Sequence, residues 1–181
     1  EGLDTGAILI EKKFEIKEND NLYTLSQRLS VLSSKLICES LDIIKNYRND
    51  IKSKLHPQTS KNEEIKYARM INKEDYKLDL NDSAKNIDRK VRGLFPRAFI
   101  KYKNKNIKIT KIRLLREEEI IQIKQESDKK NNLKAGEVLK IYKNEGIIIS
   151  TKTIPILILE IKIEGKNLAN KNQLIQQLNL K

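Results

Sequence analysis

The chain has 181 residues, 38% hydrophobic and 34% charged, with a net charge of +12. That balance suits a soluble globular protein of one large or two small domains, and no run reaches the roughly 18 apolar residues of a membrane span. A single cysteine, Cys38, excludes an internal disulfide and a Cys-rich zinc site, and with Trp absent the core must rest on Ile and Leu.

The chain opens on Gly2-Leu3-Asp4-Thr5-Gly6, an acidic residue between two glycines that feeds an apolar run. Such a turn presents a carboxylate at the lip of a sheet in α/β folds. Because it starts at Glu1 almost on this loop, the sequence is expected to be the back part of a longer protein. Residues 7–16 read as a strand, with Phe14 and Ile16 continuing a period of two. Asn19, Asp20 and Asn21 offer N-caps, and Leu22, Leu25, Leu29, Leu32, Leu36, Leu41 and Ile44 mark an amphipathic helix over 22–47. One strand and one helix cannot bury each other, so residues 1–50 are expected to end a larger, Rossmann-like α/β domain. Residues 51–64 read as a linker around His56-Pro57, and a lone linker histidine is given no role.

A second domain is expected over residues 65–181. Ser83 caps a three-turn helix with Ile87, Val91 and Leu94 on its apolar face, ended by Gly93 and Pro96. Residues 98–103 and 107–115 flank Asn104-Lys105-Asn106 as a hairpin, and residues 117–133 read as a surface loop. Residues 136–142 and 147–151 form a second hairpin, 154–163 a fifth strand, and 170–178 a closing helix. Five short strands in this order predict an oligonucleotide-binding (OB-like) five-stranded β-barrel.

The charge is unevenly placed. Residues 1–60 are neutral, with nine basic and nine acidic residues, whereas residues 83–116 hold twelve basic residues against Asp88 alone. A composition bias would spread along the chain; a block implies a polyanion, most simply nucleic acid. Lys101, Lys103 and Lys105 alternate and are expected on one face, with Tyr102 opposite, which favours backbone recognition of structured RNA over base stacking.

The order of these parts resembles the methionyl-tRNA formyltransferases. The matching residues are Gly2-Leu3-Asp4-Thr5-Gly6, the helix over 22–47, Pro57-Gln58, Tyr67-Ala68 with Lys73 and Asp79, and Ser83-Ala84 with Arg89, Val91-Arg92 and Pro96. Ala135-Gly136-Glu137-Val138-Leu139, Glu145-Gly146-Ile147 and Glu164-Gly165-Lys166 complete them. The resemblance implies the end of a Rossmann-like formyltransferase domain, a linker and a C-terminal OB-like barrel that helps hold tRNA. The implied reaction moves a formyl group from 10-formyltetrahydrofolate, the co-substrate, to the amino group of methionyl initiator tRNA in translation initiation. It implies a cytoplasmic monomer with no metal and no membrane.

In that reading Asp4 is catalytic, orienting a histidine and a water for proton transfer, and Leu3, Asp4 and Thr5 touch the co-substrate. Lys66 and Arg69 guide the acceptor stem, while Lys85, Arg89, Arg92, Arg97, Lys101, Lys103, Lys105, Lys108 and Lys111 face tRNA phosphates. The family's Asn-x-His pair is not in this sequence, so the chain alone is expected to transfer no formyl group. Without the resemblance, Asp4 caps its own turn. The alternatives are a stand-alone RNA-binding module and a sugar-nucleotide formyltransferase relative, and the basic block favours tRNA over a small sugar nucleotide.

Overall fold

The computed structural model describes residues 5–58, 67–126 and 134–179. It divides into two compact units, residues 1–70 and 71–181.

The first unit is dominated by helix α1, Leu22–Asn46. Asn21 caps it: its side chain accepts from Thr24 N, and Thr24 Oγ1 accepts from Asn21 N, both at 3.0 Å. Asp20 beside the cap is buried, accepts from Lys17 N at 2.8 Å and pairs with Arg28, whose guanidinium lies 4.5 Å from the Phe14 ring centroid. Burial pushes the Asp20 carboxyl up, but the Lys17 N–H and Arg28 outweigh it and hold it below the ordinary carboxylate range. No α1 residue is buried, and Leu22, Ile37, Leu41 and Ile44 are exposed. The strand expected over 7–16 reduces to one antiparallel bridge, Ile8 to His56, with paired N–H···O bonds of 2.7 and 2.8 Å. Among the described residues no strand flanks this stretch to extend the ladder. A 3-10 turn at Ile51–Lys54 occupies part of the expected linker.

Among the described residues, the second unit is an antiparallel sheet with three α-helices. Helix α2, Ala84–Gly93, starts where Ser83 Oγ accepts from Asn86 N at 3.2 Å, and it buries Ala84, Ile87 and Val91. Strands β1, Phe99–Tyr102, and β2, Lys105–Leu114, are joined at Lys103 and Asn104, whose φ values of 46° and 61° make a two-residue hairpin turn of the type that suits strand twist. Helix α3 is Glu117–Glu126; strands β3 (Val138–Tyr142), β4 (Gly146–Ile149), β5 (Ile156–Ile163) and β6 (Leu168–Asn170) follow, then helix α4, Lys171–Leu178.

The sheet order is β1-β2-β5-β4-β3, with β6 beside β5. Its path is open: among the described residues the end strands β1 and β3 are not paired, so the strands form a six-stranded open sheet without the closure of the expected OB-like five-stranded barrel. The sheet is curled, because Ile100 of β1 and Val138 of β3 line one apolar cavity with Ile109, Ile147, Ile158 and Ile161. Its inner core also takes Ile107, Ile156 and Ile163 from the sheet, Ile87 and Val91 from α2, and Leu174 from α4.

Helix α3 corrects the loop expected over 117–133; residues 127–133 lie outside the described set. Ile120 and Ile123, one turn apart, pack on Ile148 and Leu157 on the outer side of the sheet. Glu117, Glu118 and Glu119 sit in the first turn, where the helix dipole favours them, and Glu119 accepts from Arg116 N at 2.8 Å. With both sides covered, all of β4 is buried. Ser150 at its end is buried too; its hydroxyl accepts from Glu137 N at 3.0 Å and donates to Lys134 O, tying β4 to the approach of β3.

Candidate nucleic-acid interface

Register decides where each lysine of the basic block points, because directly paired residues on neighbouring strands project to the same face. Tyr102 pairs with Lys105 and Ile100 with Ile107, so Tyr102 and Lys105 share the inner face. Lys101 pairs with Asn106 and Phe99 with Lys108, which places Lys101 and Lys108 on the outer face. The expected single face of Lys101, Lys103 and Lys105 is therefore split. The turn falls at Lys103–Asn104, one residue before the expected Asn104-Lys105-Asn106, and each one-residue slip reverses a strand's facing. Tyr102 is opposite Lys101 only: it lines one cleft with Lys103 and Lys105, and the Lys103 ammonium lies 5.1 Å from its ring centroid.

Lys111 is also exposed, beyond a bulge that follows Ile109. On α2, Lys85 and Arg89 are exposed, whereas Arg92 is half-buried with its Nε 2.9 Å from Asp88, and Lys90 lies 3.8 Å from Asp82. Arg97 is exposed, donating to the Tyr76 hydroxyl at 3.2 Å. Arg69, in the first unit, is exposed and donates to Met70 O at 3.0 Å. Thr5 is exposed; Leu3, Asp4 and Lys66 lie outside the described residues. One exposed threonine makes no folate seat, so no step of formyl transfer follows from this geometry. Among the described residues no cluster of His, Cys, Asp and Glu could hold a metal ion, and no helix is long and apolar enough to cross a membrane.

Besides Arg92, two further arginines of the block are committed within the fold. Arg113 donates to Glu119 at 2.7 and 2.8 Å and to Glu145 at 2.9 Å, and Arg116 Nε lies 3.5 Å from Glu119. The bidentate bond from Arg113, with the Arg116 N–H, outweighs burial and holds the Glu119 carboxyl down to about 2, from an ordinary 4.5. The Arg113 guanidinium is correspondingly pushed up, first by the bond to Glu119. Because the folded value lies below the unfolded one, this stabilisation is complete above about pH 4.5 and is lost as pH falls towards 2. Glu119→Gln should cost roughly 1–2 kcal/mol at pH 7 after solvent screening, and its Tm should fall less steeply than wild type between pH 5 and 2. Thermal unfolding followed by circular dichroism across that range checks both; parallel curves would remove the pair as a source of acid sensitivity.

Two residues outside the block join it in space. Lys162 of β5 stands directly opposite Lys108, and Lys166, in the β5–β6 turn, lines the cleft with Lys103 and Lys105. Neither was legible in the charge count, since each lies about fifty residues or more along the chain from its neighbours. Only the strand order brings them together.

A curled antiparallel sheet capped by helices, with lysines gathered at one end, defines a small basic α+β domain. Residues 70–179 match the formyl transferase C-terminal domain, and the chain belongs to that family. It is 49% identical over 179 residues to the methionyl-tRNA formyltransferase of Prochlorococcus marinus strain MIT 9215, covering 98% of this chain and 54% of that protein. It is 48% identical over 179 residues to that of strain MIT 9312, with coverage of 98% and 54%. The chain thus spans about half the length of the curated relatives it matches. Among solved structures, a HypX variant from Aquifex aeolicus matches with a TM-score of 0.64 at 18% identity, over 97% of this chain and 29% of that one. That likeness concerns the fold alone.

Proposed function

We propose that this chain is the C-terminal part of a methionyl-tRNA formyltransferase, and that its share of the work is to hold the tRNA. The enzyme would transfer a formyl group from 10-formyltetrahydrofolate to the amino group of methionyl initiator tRNA, in the cytoplasm, as a monomer. The observation that carries this reading is collinear identity of 49% over 98% of the chain with a relative of that name. The basic block supports the RNA half of the reading, and the curled sheet is compatible with an OB-like domain whose outer surface takes nucleic acid.

Phosphate contacts position a nucleic acid and make binding salt-dependent. Lys85, Arg89, Arg97, Lys101 and Lys108 are exposed and suit this role; Arg92 is already engaged by Asp88. Leu3, Asp4 and Thr5 would adjoin the co-substrate, with Asp4 as the catalytic carboxylate.

The chain should bind initiator tRNA at micromolar concentration or tighter, with affinity falling steeply as salt rises, and should not bind a sugar nucleotide comparably. Fluorescence titrations at several salt concentrations check this. Tight sugar-nucleotide binding with none to tRNA would move the chain to the sugar-nucleotide formyltransferase relatives.

A further inference from the structure

The β1–β2 turn and the β5–β6 turn, remote in sequence, flank one cleft of about 120 Å³, room for about four waters. Lys103 and Lys105 line it from the first turn and Lys166 from the second, with Tyr102 and the end of α4 completing the wall. Among the described residues, no acidic one lines it. On the outer face of the same strands Lys108 and Lys162 are paired in direct register, and both are exposed. Like charges directly opposite each other on a sheet are destabilising. Among the described residues, no carboxylate lies within ion-pair distance of either. The acids flanking Lys162 along β5 are Glu160, two residues away on the same face and opposite Lys111, and Glu164, in the turn outside the cleft lining. A fold that keeps two lysines in direct register without an ion pair at one end, beside a cleft lined by three more, has a polyanion as its natural counterpart.

We infer that this end of the sheet is a two-point phosphodiester seat for structured RNA. Lys103, Lys105 and Lys166 hold one backbone phosphate in the cleft, and the Lys108–Lys162 pair holds a second on the outer face. This rests on the RNA reading above and adds to it two contacts, Lys162 and Lys166, that lie outside the basic block. The ammonium groups act as point charges on phosphate oxygens, so the seat reads backbone spacing rather than base identity.

The test compares Lys162→Ala/Lys166→Ala with Lys134→Ala/Lys152→Ala, which removes the same charge from exposed positions elsewhere in the unit. Each lost phosphate contact lowers the slope of log affinity against log salt by about 0.9, or roughly eightfold in affinity at 0.1 M relative to 1 M salt. The first pair should therefore weaken binding to an initiator tRNA transcript about 60-fold at 0.1 M salt and reduce the slope by about 2, against at most about threefold for the second. Lys162→Ala alone, relieved of the like charge opposite, should have a Tm no lower than wild type while binding more weakly. Equal losses for the two pairs would overturn the seat and leave the RNA reading standing. A folded wild-type chain that binds no tRNA would overturn the RNA reading itself, and the seat with it.

Discussion

Gly146→Ala should unfold the sheet domain or nearly so, with a loss of at least about 3 kcal/mol. A Cβ built on Gly146 meets the Ile158 carbonyl oxygen at 2.1 Å and Leu157 Cδ1 at 3.3 Å. The first neighbour is backbone in the central strand β5, which is held on both sides by β2 and β4 and cannot retreat. Relief therefore requires β4 to leave β5, which breaks the Ile147–Ile158, Ile148–Leu157 and Ile149–Ile156 pairs. Those six side chains belong to both cores, inner and outer, so a shift of β4 loosens the two together. Gly93→Ala is the matched control: nothing lies within 4 Å of its Cβ, and the position ends α2. It should be neutral or stabilising by up to about 1 kcal/mol. Urea unfolding followed by far-ultraviolet circular dichroism measures both, and at roughly 4–8 °C per kcal/mol the Gly146 change should also lower Tm by more than 10 °C. A Gly146→Ala unfolding free energy within about 1 kcal/mol of wild type would show that β4 and β5 do not approach as closely as described.

Glycine at that position also shows what was legible in advance and what was not. In the sequence Gly146 reads as the end of a hairpin loop, because turn chemistry is local and close approach of two strands is not. Helix α1 was legible to within a residue, since its leucines recur at helical spacing and Asn21 and Thr24 form a cap visible in the letters. Helix α2 was equally plain from Ser83 and the spacing of Ile87 and Val91. The central strands followed from β-branched runs bounded by turn residues. Helix α3 was hidden by its charge: Glu117, Glu118 and Glu119 look like loop until they are recognised as a first helical turn. Strand β6, three residues long, carries too little pattern to read. Barrel closure is a property of end strands β1 and β3, and no residue in either announces its lateral partner. For the basic surface, the block itself was legible and its facing was not, because one misplaced turn residue moved Lys105 to the wrong side. Lys162 and Lys166 illustrate the general reason. Electrostatic partners converge through long-range pairing, and a one-dimensional charge count sees only neighbours in sequence.

Asp4→Asn, placed in the full-length enzyme, should lower kcat for formyl transfer by about 10²–10⁴ while leaving the Kd for initiator tRNA within twofold. The substitution separates two roles that the same side chain would play. Asparagine caps a turn as well as aspartate does, so a capping role alone would survive the substitution. What it cannot do is carry a negative charge, which the proposed role would require: stabilising a histidine that becomes cationic while taking a proton from the attacking amine. The effect should therefore appear in the chemical step and not in binding, the pattern of an interaction made only as charge develops. Apart from Lys66, the lysines assigned to RNA belong to the second unit, whereas Asp4 belongs to the first, so an unchanged tRNA affinity shows that the second unit is intact. Single-turnover formylation at saturating methionyl initiator tRNA and 10-formyltetrahydrofolate reads the chemical step directly. The Lys162→Ala/Lys166→Ala variant should show the opposite split, with KM for tRNA raised and the saturated rate nearly unchanged. A saturated rate for Asp4→Asn within threefold of wild type would return Asp4 to the role of a turn cap, and would place the essential carboxylate elsewhere in the enzyme.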